Sequence, residues 1–223
     1  MWRAERGSAL VMVLLCATLF LVLGGALVTV GSTESVISAT FREGAVALAA
    51  ADAAVARVTS DLASALDLNA LLAGSVSSMF TDGSAVSPRR LPDGTLLDLT
   101  AATNIQRCGE VGCTDAQMDA ITAERPWGAN NARWQLYGSG WLRDLAPGID
   151  APHVYIVIWI GDDPLETDGD PLADDGSPAA PGHQTVLLRA AAYAGYSARR
   201  QIEVAARRED GVVRITSWRE VSR

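Results

Sequence analysis

Lysine is absent. All eighteen basic residues are arginines. That absence removes whole classes of chemistry. A phosphate-binding P-loop needs a lysine on the phosphates, and a Schiff-base enzyme or a serine–lysine dyad needs its amine. Histidine is nearly as scarce, with only His153 and His183. Neither lies in an HExxH pattern, and their spacing does not suggest a zinc centre. No GxSxG, GxGxxG or CxxC occurs. The net charge is −8 over 223 residues. A phosphate backbone needs a basic face, so direct nucleic-acid binding is not expected.

What the chain does have is a long apolar run near its start. No charge falls between Arg6 and Glu34. As a helix these residues span about 40 Å at ~1.5 Å per residue, against a bilayer core of about 30 Å. A secretory apolar region is shorter, roughly 7–15 residues, and no small-x-small cleavage site precedes a polar start. Arg3 and Arg6 precede the run, which predicts a cytoplasmic N-terminus and an outward-facing remainder. The simplest reading is a plain single-pass anchor.

Residues 34–68 continue without proline. Val36, Ile37, Phe41, Val46, Leu48, Val55, Val58, Leu62 and Leu66 recur at roughly helical spacing, which predicts an amphipathic continuation of the same helix. Gly24, Gly25, Gly31 and Gly44 are its weak points, as bends or as close-packing positions.

Downstream, Gly, Ser and Pro crowd residues 69–95, a connection. Residues 94–101 alternate enough for a short strand. Thr114 to Arg125 reads as a short helix with Thr114 and Gln117 as a capping box. Strands are expected at 132–140, 153–161, 185–194, 199–209 and 212–221, with turns at 195–197 and 209–211. The fold class is α+β: an antiparallel sheet of four or five strands whose apolar face the second half of the long helix covers.

"RGSALVMVLL" at 6–15 and "AAADAAV" at 49–55 resemble the opening run and the later alanine-rich segment of PilX-type minor pilins, in the pilin and pseudopilin superfamily of type IV pili. The resemblance is good over roughly residues 1–65 and looser beyond. It implies a ladle-like fold. Its parts are a prepilin leader (1–7), a transmembrane helix half (8–33), an amphipathic half (34–68) and a globular head (69–223). It implies cleavage by a prepilin peptidase between Gly7 and Ser8, with Ser8 then N-methylated. It also implies retention in the inner membrane with the head periplasmic, and then assembly into a surface pilus. The implied partners are other minor pilins, the major pilin, the inner-membrane assembly platform and the lipid bilayer. No catalysis is implied.

Two positions depart from the pattern. Asp52 stands where the family carries glutamate. Met12, the fifth residue after the cleavage point, stands where most pilins carry a glutamate that pairs with the preceding subunit's amine. A buried carboxylate is costly unless paired, and a subunit with no predecessor needs none. Met12 therefore suggests a first or tip position, as in the K-type pseudopilins of type II secretion; tolerance at a low-copy position is the other reading. The rival assignments are a K-type pseudopilin itself and a membrane-anchored periplasmic enzyme or sensor.

Cys16 lies in the apolar run and acts there as a small hydrophobe. Cys108 and Cys113 fall in the head. In an oxidising periplasm the expectation is a bridge between them; free thiols or a bridge to a partner are the alternatives.

The stretch 161–184 carries seven carboxylates: Asp162, Asp163, Glu166, Asp168, Asp170, Asp174 and Asp175. Hard oxygens at close spacing suit Ca²⁺, although the order does not fit an EF-hand. A solvated acidic loop is the alternative. Paired carboxylates also occur in glycosidases, but no sugar-stacking cleft is legible in the sequence.

Overall fold

The computed structural model describes residues 5–65, 67–145, 152–166, 168–174 and 176–221. Residues 1–4, Leu66 and Asp175 therefore lie outside the described residues. The chain divides into two compact units, one ending at Arg42 and one beginning at Glu43. The helix α1 (Glu5–Ser64) contributes to both.

In the first unit every side chain from Ser8 to Ser38 is exposed. Phe20, Leu21 and Val28 each show more than two-thirds of their surface. The most apolar 18-residue window of the helix has a mean hydropathy of 2.7, so α1 is long and apolar enough to cross a membrane. Four of its hydroxyls bond back to the helix itself. Thr18 donates to the Leu15 carbonyl, Thr29 to Gly25, and Ser32 and Thr33 both to Thr29. In hydrocarbon an unpaired hydroxyl has no water to turn to, so bonding back to the helix suits an apolar surround. Gly24, Gly25 and Gly31 face open space.

In the second unit the later turns of α1 bury Ala47, Ala50, Ala51, Ala54, Val55, Val58 and Leu62 at helical spacing. The expected amphipathic face thus begins later than the sequence suggests. Val36, Ile37 and Phe41 are exposed, and alanines line much of the contact. Small side chains let the helix lie close to the sheet. Gly44 serves the same end, since a Cβ there would lie 3.1 Å from the Arg200 guanidinium.

The sheet is an antiparallel meander, β3 (Gln135–Trp141), β4 (Tyr155–Asp162), β5 (Thr185–Tyr193), β6 (Arg199–Glu209) and β7 (Val212–Glu220), in that spatial order. A small ladder, β1 (Arg89–Arg90) with β2 (Leu96–Leu97), stands apart. Ile156, Ile158 and Ile160 point toward α1. Tyr155, Val157 and Trp159 point the other way, into a second core with Leu99, Ala102 and Trp134. Every residue of β4 is buried.

That second core corrects the one-sided expectation. It is covered by α3 (Leu99–Cys108); of the short strand expected over 94–101 only β2 forms before the helix begins. Asp98 decides the matter locally: its carboxylate accepts from the Ala101 N–H at 2.9 Å and caps the helix. A short α2 (Leu68–Leu72), capped by Asp67, likewise opens the expected connection. The helix α4 (Asp115–Met118) is shorter than expected but carries the Thr114–Gln117 capping box. A last short helix, α5 (Leu142–Leu145), follows β3.

The β3 edge is covered. Ser78 and Asp82 donate backbone N–H groups to Tyr137 and Ser139, and Ser139 donates to Phe80. Gly138 permits this approach, because a Cβ there would meet the Phe80 carbonyl oxygen at 2.9 Å. Among the described residues, β7 pairs only with β6.

Candidate functional site

The 7–8 peptide bond lies in the first turns of α1. The first N–H groups of a helix lack intrahelical partners, so this is the part that opens most easily to an extended backbone. Met12 is exposed.

Cys108 and Cys113 form a disulfide with Cα atoms 6.0 Å apart. It closes the turn that leaves α3, and chain-entropy arguments assign so short a loop about 2 kcal/mol. Cys16 is free and exposed.

The acidic stretch is not one loop of like environments. Asp162, Asp163 and Glu166 are buried. Asp162 is the last residue of β4, which carries its carboxyl inward, and its Oδ1 has no hydrogen-bond partner. Burial, with the Glu166 charge next, pushes its pKa up to about 9. Burial also raises Asp163, although its carboxylate accepts from the Leu165 N–H at 3.1 Å. Gly182 is required beside them. It sits at φ +86°, and a Cβ there would lie 2.5 Å from Glu166 Cγ.

The other carboxylates are engaged elsewhere. Asp168 and Asp170 are exposed and accept from the N–H groups of Asp170 and Leu172 respectively, two local Asx turns. Asp174 accepts from the backbone and side chain of Gln184 and lies 3.5 Å from His183 Nδ1. Asp175 lies outside the described residues. The orphaned Asp162 oxygen suits a cation. Yet among the described residues no three His, Cys, Asp or Glu side chains are grouped so that they could hold a metal. Among the described residues, the carboxylates expected as a calcium ligand set are therefore not brought together as one set.

Two polar networks were not anticipated from sequence. Asp61 accepts from Ser78 and Tyr137 hydroxyls, and Asp82 from Arg89, Ser139 and Tyr155. Burial first, then the Asp61 carboxylate, pushes Tyr137 up to about 12, and burial pushes Tyr155 to the same range. These bonds tie segment 78–82 to α1 and to the sheet. On the sheet face turned away from α1, Arg189 donates to Glu203 and to Gln106, and lies over the Trp134 ring at 4.3 Å. Nothing in the local sequence marks these pairs, because the partners are 14 to 83 residues apart. His153 stacks on Trp141 with ring centroids 4.1 Å apart.

The chain matches no protein-family model, no curated protein and no solved structure.

Proposed function

We propose that the chain is a pilin-like structural subunit, a minor pilin of the PilX type that helps initiate or cap a type IV pilus. The observation that supports this reading is the division of labour within α1. Its first turns present a bare apolar surface, and its later turns form one wall of the folded head's core. A simple anchor needs only the former. In this reading the first turns hold the subunit in the inner membrane and later pack beside equivalent helices, while the periplasmic head selects other pilins as neighbours. Prepilin peptidase removes residues 1–7, and Met12 in place of an acidic residue favours a tip position. The K-type pseudopilin remains the second structural reading. N-terminal sequencing of the membrane-extracted chain tests the proposal. A start at N-methylated Ser8 is expected. An intact Met1 in assembled fibres, or a start beyond the apolar run, overturns it and returns the chain to the anchored enzyme or sensor class.

A cation at the acidic stretch is a narrower proposal, favoured by the unsatisfied Asp162 oxygen. Asp162 would be the carboxylate that anchors a Ca²⁺, with backbone carbonyls and waters supplying the other oxygens, because among the described residues no three acidic side chains are grouped to hold the ion. Adding millimolar calcium to the chelator-treated protein is expected to raise its melting temperature. An unchanged melting curve removes the site.

A further inference from the structure

The sheet face turned away from α1 is covered over β3–β5 but open over β6 and β7. Two rows cross it side by side. Leu187, Ala205 and Ser217 form one, and Arg189, Glu203 and Arg219 the other. Trp127 and the Pro164–Leu165 turn rise beside these rows. Between them lies a cleft of about 550 Å³, and a neighbouring one of about 430 Å³ shares Trp127 and Arg219 with it.

The lining is specific in kind. Trp127 is 41 % exposed, so an indole surface is accessible to a ligand. Arg219 is exposed but already fixed at two points. Its side chain is 63 % exposed, yet Nε and Nη2 both donate to Glu203, whose carboxylate is buried and also receives Arg189. The ordering cost that a free arginine meets on binding is thereby met in advance. The larger cleft sets two guanidiniums, Arg207 and Arg219, against two carboxyl groups, Glu203 and Asp163, with the Thr216 and Ser217 hydroxyls between strands. Such a lining has no surplus charge to select an ion. It offers donors and acceptors together beside a flat apolar plate. A pyranose matches it: its hydroxyls both donate and accept, and one face of its ring is C–H.

We propose that this cleft binds a neutral saccharide, its ring stacked on Trp127 and its hydroxyls bonded to Arg219 and the groups around it. The site is independent of how the N-terminus is processed.

Calorimetric titration of the full chain, held in a detergent without a sugar headgroup, tests this. The probes are maltohexaose, cellohexaose and chitohexaose, with polygalacturonate and polyglutamate as acidic comparisons. At least one neutral hexasaccharide is expected to bind. Trp127→Ala and Arg219→Ala are each expected to weaken that binding by about tenfold, the loss of one good contact. Trp127→Phe, which keeps an aromatic plate with little disturbance of the fold, is expected to retain most of it. Binding of the acidic polymers alone overturns the proposal in favour of an anion groove. Binding that survives Trp127→Ala, or no heat with any neutral probe, also overturns it.

Discussion

Asp162 shows how one residue's place in a strand sets its chemistry. The sequence lists it among seven acidic neighbours, and all seven look alike there. The structure makes it the final residue of a fully buried strand, with its pKa pushed up to about 9 by burial and by Glu166. The folded protein therefore holds a proton there that the unfolded chain releases above its ordinary value of 3.8. Folded binds more protons than unfolded within that window, so stability falls as pH rises from about 4 to about 9 and levels off above it. Asp162→Asn removes this penalty. In chelator the variant is expected to melt above the parent at pH 8 and close to it below pH 4, as read by thermal unfolding at both pH values. The residue types of the acidic stretch were legible; their separation into buried and turn-forming groups was not, because it depends on where β4 ends.

Among the elements, β4 is the one whose meaning was half read. "YIVIWI" is apolar without alternation. A continuous apolar run signals a strand covered on both faces, whereas the expectation provided one cover only. The second cover, α3, is easy to miss because half of "LTAATNIQRC" is polar and its burial rests on a few residues such as Leu99 and Ala102. The hairpins β5–β6 and β6–β7 were legible through their turns: Asp210 and Gly211 both take positive φ, as an Asp-Gly turn requires. The wall that α1 provides was legible in its period but not in its starting point. Leu62 is among the largest fully buried side chains there. Leu62→Ala is expected to lower stability by about 2–5 kcal/mol, measured by urea unfolding.

For the whole molecule, the apolar run and the sheet-forming head were both apparent, because each rests on composition sustained over many residues. The networks that bind segment 78–82 and the Trp127 cleft were not, since they join residues distant in sequence. The run also supplies a test of anchoring. Placing an arginine at a helix centre costs about 2.5–3.5 kcal/mol on insertion scales. Leu21→Arg is expected to shift much of the chain from carbonate-resistant membranes into the soluble fraction, whereas the parent stays in the pellet.

The α1 face that ends near Leu62 is sealed by residues such as Val204 and Ile202. A ribosome adding about 5–20 residues/s reaches those strands on the order of ten seconds after the helix has emerged. During that interval the nascent chain carries a sticky alanine–valine flank with nothing to dock on. Folding of this chain accordingly calls for a holding factor, or a sheltering lipid surface, before the last hairpin arrives to close the core.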